Sequence, residues 1–211
     1  MPTLIEIRDD LISTPSGGVM IDDTKYDLPY IEYLIHQYRA RAIFISWSTT
    51  KRINPLWTQQ FIATYDESAQ DVPGAVVFNC PPPISLDSMM DGFLYIGKVD
   101  GNCAYTKVVS RADMANQNSH RYSRCEPGSE KALWSDGRFE VYGNTMLKEL
   151  RVDGIIENPE LIPTYNKNVD QYPISNDILV IMKEMMMKEQ VSVMTQTPSE
   201  SSTDNPKRPG Q

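Results

Sequence analysis

The chain has 211 residues, a net charge of −8 and 40% hydrophobic residues. A chain of this length buries roughly 70% of the surface its unfolded form exposes, which is enough for one domain with extensions. The acidic balance excludes tight docking on nucleic acid, which needs Lys and Arg to displace counterions from phosphates, but it suits a wall past which DNA slides without sticking.

The first helix is expected to start at Thr3. Thr3 and Glu6 have the spacing of a capping box, and Leu4, Ile7 and Leu11 then fall on one face. The run STPSGG from Ser13 to Gly18 breaks it. A second helix is expected from Asp27 to Ser46, a rod of roughly 30 Å. Pro29 sits in its first turn, and Ile31, Leu34, Ile35, Tyr38 and Ala42 form its apolar stripe. Arg39, Arg41, Lys51 and Arg52 give its far end a basic cluster, which the helix dipole favours. The acidic residues Asp22, Asp23 and Asp27 precede that helix, without the spacing of a calcium loop. Asn54 and Pro55 then read as the start of a third helix, with Trp57, Phe61 and Tyr65 as an aromatic ridge.

The pattern changes near Asp71. Ala75 to Phe78 reads as a buried strand, and the prolines after Cys80 exclude the next residues from a sheet. Gly92 to Val99, Asp100–Gly101 and Ala104 to Val109 read as a hairpin with a two-residue turn. Met114 to Gly128 is polar and aperiodic, a long exposed loop. Ala132 to Trp134 and Arg138 to Tyr142 form a hairpin around Ser135–Asp136–Gly137, and Gly143–Asn144 starts the next turn of a meander. In Leu147 to Val152, Leu150 and Val152 point one way while Glu149 and Arg151 point the other, the mark of a half-buried strand that Asn158–Pro159 ends.

The last ordered element is a helix from about Ser175 to Gln190, with Ser175, Asn176 and Asp177 as caps and Ile178, Ile181, Met182 and Met185 as its stripe. Met186 and Met187 lie off that stripe. Methionine adapts to irregular surfaces, so this Met-rich run reads as partner contact. From Thr195 onward nothing apolar remains to be buried, so a tail that is disordered, or orders only on a partner, is expected. These elements give an α+β class with an N-terminal helical bundle, an antiparallel β-rich middle, a C-terminal helix and a tail. The corresponding segments are 1–66, 67–165, 166–194 and 195–211. The candidate partner interface comprises Tyr165, Tyr172, Met185, Met186, Met187, Arg39, Arg41, Lys51 and Arg52.

No residue pattern asks for catalysis, a metal or a cofactor. Cys80, Cys103 and Cys125 lack a CxxC pair and read as reduced thiols. With His120 they lack the close ligand pairs of a zinc site, and neither Cys125 beside His120 nor Cys80 shows an orienting third group for a nucleophile. Phosphate loops, dinucleotide fingerprints, HExxH and GxSxG are missing. No stretch approaches the ~20 apolar residues of a membrane span, and MPTLIEIRDD lacks the features of a signal peptide, so a soluble chain is expected.

Four separated pieces resemble structural proteins of crAss-like phages, the podoviruses of gut Bacteroidetes. They are YLIHQYRARAIFISWSTTKRINPLW from Tyr33, FLYIGKVDGNCAY from Phe93, LKELRVDGIIENP from Leu147, and YPISNDILVIMKEMMMKE from Tyr172. Their order and spacing look like the head-to-tail connector or ring proteins below the portal. The resemblance implies a non-enzymatic subunit of a homo-oligomeric ring, expected to be twelve-fold, that meets the portal and adjacent tail rings. It implies a place in the neck or tail of the virion after assembly in the host cytoplasm, and DNA that passes without sequence-specific binding. The rival reading is a phage assembly or host-interaction factor that is lost from the finished particle.

Overall fold

A computed structural model describes residues 1–13, 28–67, 72, 74–87, 90–101, 104–108, 110–113, 130–135, 137–143 and 146–196. The expected acidic cluster at Asp22, Asp23 and Asp27, the loop from Met114 to Gly128 with His120 and Cys125, Cys103, and the tail beyond 196 lie outside the described residues.

Helix α1 spans Leu4–Ser13. Its cap is the one the sequence specifies: the Thr3 amide donates to Glu6 Oε2 at 2.9 Å, and the Glu6 amide donates to Thr3 Oγ1 at 3.3 Å. Helix α2 spans Leu28–Thr50, which carries it past Ser46 to a length of about 35 Å at 1.5 Å per residue. Helix α3 spans Asn176–Gln196, so it runs through the point where the tail was expected to begin. Ile178, Met182 and Met186 form its buried stripe.

The aromatic ridge is not helical. Asn54 caps only a single 3-10 turn, Pro55–Trp57, by accepting from the Leu56 amide at 3.0 Å. The chain then extends into strand β1, Gln59–Thr64. Phe61 and Ala63 are buried while Gln60, Ile62 and Thr64 are exposed, the period-2 pattern of a strand with one wet face. A spacing of four is even, so Trp57, Phe61 and Tyr65 satisfy a strand as well as a helix.

Strands β2 (Ala75–Asn79), β3 (Ser85–Asp87), β4 (Met90–Asp91), β5 (Phe93–Gly97), β6 (Thr106–Val108), β7 (Lys131–Ser135), β8 (Arg138–Tyr142) and β9 (Glu149–Gly154) follow. They pair as one sheet in the order β1-β9-β5, a second in the order β2-β8-β7-β6, and the small ribbon β3-β4. The β7–β8 hairpin forms as expected, with Gly137 at φ +79 in its turn. Two expectations fail in the same way, the first only in part. The hairpin holds beside its turn, where the chain reverses between Lys98 and Gly101, Gly97 bridges to Ala104 and the Tyr105 amide donates to Ile96 at 2.7 Å, but β6 then leaves β5 and joins the other sheet. Likewise β9 does not continue a meander beside β8; it crosses to pair with β1 and β5. A strand takes the partner that buries its apolar face, and here that partner lies across the fold.

Two cores result. Phe61, Phe93, Leu150 and Val152 of the first sheet meet Val76, Phe78, Phe139 and Val141 of the second, with the Phe93 and Phe139 rings 4.7 Å apart. The other core joins α1, α2 and α3 to Leu86, Ile155 and the segment Tyr172–Ile174. The two regions meet where backbones come close. Ile155 donates its amide to the Gly92 carbonyl at 2.9 Å, and a Cβ on Gly92 would lie 2.7 Å from the Ile155 carbonyl oxygen.

Candidate functional site

The inner face of α2 carries Glu32, His36 and Arg39, spaced i, i+4 and i+7, on one stripe with Ile35 and Ile43. All three polar residues are buried, and all three are answered. Glu32 accepts from Arg8 at 2.8 Å and from Lys167 at 2.6 Å. Burial alone would raise its pKa, but the two cations outweigh burial and hold it below the usual carboxylate range. His36 Nε2 lies 3.1 Å from Glu160 and its Nδ1 2.7 Å from the Tyr172 hydroxyl. The Glu160 carboxylate only accepts, so Nε2 carries the proton of the neutral ring and Nδ1 accepts from Tyr172. Burial keeps the ring neutral, pushing its pKa down against the pull of Glu160.

Arg39 is fully buried. Its Nε donates to the Pro173 carbonyl at 2.7 Å, one terminal nitrogen donates to Ile156 at 2.8 Å, and the other donates to Trp57 at 3.3 Å. Three carbonyls from three chain segments therefore close on one guanidinium, and the Trp57 indole donates to Ser175 at 2.8 Å beside it. Arg39 is not part of a basic cluster at the end of α2, because the carbonyls that hold it lie 18, 117 and 134 residues away in the chain. Glu32, His36 and Arg39 are thus satisfied in the interior, while Glu160 and Lys167 reach solvent at the edge of the array. The array ties α1, α2 and the segment before α3 together.

Cys80 is buried as well, and burial, with Asp91 adding to it, pushes its thiol pKa up and away from the reactive thiolate. Among the described residues no group of three His, Cys, Asp or Glu side chains is placed to hold a metal.

The residues named from the sequence as a partner interface divide in two. Arg39, Tyr172 and Met186 are core residues. Met186 continues the stripe Ile178–Met182 at the next i+4 position, so the surface role read from its neighbours does not apply to it. Tyr165 and Met185 are half-buried. Met187, Arg41, Lys51 and Arg52 face outward. Arg41 pairs with Glu189 at 3.2 Å, which places α3 alongside α2 there. The Lys51 ammonium sits 3.9 Å from the Trp47 ring centroid, at the end of α2.

The outer face of α2 went unread in the sequence. Tyr30, Tyr33, Gln37, Arg41, Phe44 and Ser48 follow one another at i+3 or i+4 steps, opposite the buried stripe. Tyr33 is 56% exposed and Phe44 44%. The stripe is mixed: Tyr30, Tyr33 and Phe44 are exposed apolar side chains, while Gln37 donates to Glu157 at 3.0 Å and Arg41 pairs with Glu189 between them. A second surface is a groove of about 960 Å³ beside β1. It was missed because Phe61 and Tyr65 were read as helical.

A family model described as phage tail ring protein 2 matches residues 6–207 of the chain. No curated protein matches it.

Proposed function

We infer the role from one premise: the chain belongs to the phage tail ring protein 2 family. Membership gives it a structural role in a ring of a phage tail, in keeping with the resemblance to ring proteins of crAss-like phages. The finer reading we propose is a non-enzymatic adaptor subunit at the head-to-tail connection. About twelve copies form a ring below the portal, surround the DNA channel, and meet the portal on one side and an adjacent tail ring on the other. Assembly takes place in the host cytoplasm, and the ring stays in the neck of the finished virion.

The outward face of α2 carries this reading. A monomer gains nothing from exposing Tyr30, Tyr33 and Phe44 along one helix. A closed ring built from head-to-tail contacts covers such a stripe once per subunit. Arg41 lies within the stripe and Lys51 and Arg52 just past the end of α2, so these exposed cations serve as its polar rim, while the exposed Met187 of α3 offers further apolar contact. The net charge of −8 suits a channel that repels phosphate and lets DNA pass. No helix among the described residues is long and apolar enough to cross a membrane.

The test is the double substitution Tyr33→Asp with Phe44→Asp. Both side chains are exposed, so the subunit keeps its fold by circular dichroism, while native mass spectrometry shows the ring replaced by monomer. Rings of unchanged mass and abundance from this variant would remove α2 from the interface.

A further inference from the structure

The groove beside β1 is lined by seven consecutive positions, from Phe61 to Glu67. Phe61 to Thr64 belong to β1, where an unbroken run means that the groove follows the strand's edge, and Tyr65 and Asp66 continue it past the strand, where Tyr65 bridges to Phe78 and the Asp66 amide donates to Val77 at 3.0 Å. β1 is the outer strand of its sheet, paired only with β9 among the described strands. The opposite wall is Pro81, Pro82 and Leu161, and Leu161 and Ile62 are exposed apolar residues at the rim. Prolines donate no hydrogen bond, so that wall offers apolar contact rather than strand pairing. One end is acidic: Glu67 is exposed, next to Asp66, which accepts from Asn79 at 2.6 Å.

The chain carries a segment with the complementary chemistry. Pro206-Lys207-Arg208-Pro209 lies in the last residues, beyond the end of α3 at Gln196. Prolines three apart fall on one edge of a polyproline II helix, which has three residues per turn, and the two cations then fall on the other side. Proline segments of this pattern dock in apolar, aromatic-lined grooves, with charge fixing their direction. Fifteen residues follow Gln196 (211 − 196), a reach of about 50 Å when extended.

We propose that this groove receives the Pro206–Pro209 segment of a neighbouring copy, with the two prolines against Pro81, Pro82 and Leu161 and the two cations at Glu67 and Asp66. The inference rests on the ring reading, since the neighbour is another subunit of the same ring. It gives the tail the function of a strap that links subunits beyond their main contact.

A mixture of light and heavy isotope-labelled full-length chain, treated with a carbodiimide that joins carboxylates to amines, tests the strap. Native mass spectrometry of the same sample reports the rings. The expected result is Lys207–Glu67 cross-links that pair light with heavy peptides. Pro206→Ala with Pro209→Ala lowers their yield about tenfold, the factor that corresponds to 1.4 kcal/mol of lost contact. Links that join only peptides of one isotope would put the chain's own tail in the groove and overturn the proposal. Rings without links from Lys207 to Glu67 or Asp66 would overturn it and leave the ring reading standing, whereas absence of rings would count against both.

Discussion

The Arg39 guanidinium lies 5.4 Å from the centroid of the Tyr172 ring, and His36, one turn earlier on the same helix, shares a 2.7 Å hydrogen bond with the hydroxyl of that tyrosine. One buried tyrosine is thus held by two residues of α2, and through it the segment leading into α3 is held to the helical layer. Arg39 ties the same helix to the exits of the 3-10 turn and of β9 through the carbonyls of Trp57 and Ile156. This is the joint between the helical layer and the sheets.

Arg39→Met removes the donors and strands three buried carbonyls. Hydrogen bonds to a charged group contribute about 1.5–3 kcal/mol each, and they are not additive, so the expected loss is on the order of 3–5 kcal/mol in urea unfolding. Arg39→Lys does not restore it, because one ammonium cannot serve three carbonyls that surround a planar fork. Near wild-type stability for the lysine variant would mean that the fork geometry is not what holds the joint.

Acid weakens the same array. The folded pKa of His36 lies below its ordinary 6.5 because the ring is buried, so the unfolded state takes up the proton first. That part of the stability is complete above 6.5 and is lost as pH falls through the lower, folded value. Glu32 adds a second loss below its ordinary 4.5, as its paired carboxylate is protonated. Urea midpoints are therefore expected to fall between about pH 7 and about pH 5, and His36→Gln to flatten that slope even though it lowers stability throughout. A midpoint that rises in acid would contradict the assignment.

Gly92→Ala places a methyl carbon 2.7 Å from the Ile155 carbonyl oxygen, closer than a Cβ can lie, with backbone on the opposing side. The strands must separate there, and the expected cost is about 1–3 kcal/mol, the range for overpacking a filled interior. Thermal unfolding measures it. A variant as stable as the parent would show that β5 and β9 have slack at this point.

Cys80 should resist alkylation in the folded protein and react only on unfolding, since burial keeps it a thiol. Peptide mapping after brief iodoacetamide treatment reports this site apart from Cys103 and Cys125. Prompt labelling of Cys80 would reopen the reading of this cysteine as a nucleophile.

Local signals were legible in the sequence, and choices of distant partner were not. The Thr3–Glu6 capping box, the Asn54 cap, the β7–β8 turn and the alternation of Leu150 and Val152 each depend on residues a few positions apart, and each is seen in the fold. Phe61 and Tyr65 misled because a spacing of four fits both periods, and hiding β1 also hid the groove beside it. The separation of β5 from β6, and of β9 from β8, depends on which sheet each strand joins, and no local pattern encodes that. Arg39 was grouped with Arg41, Lys51 and Arg52 because they are close in the chain and share its charge. Its burial is decided by carbonyls that only the folded chain brings to it. The outward stripe of α2 was present in the sequence, but a search for the core stripe passes over its opposite face.

The central claim is that this chain is a ring subunit matched to the portal. Quantitative mass spectrometry of purified particles, comparing copies of this chain with copies of the portal protein, tests it most directly. The account predicts parity between the two. Absence of the chain from washed particles would contradict it and favour an assembly factor, and a multiple of the portal number would move it to a different layer of the tail.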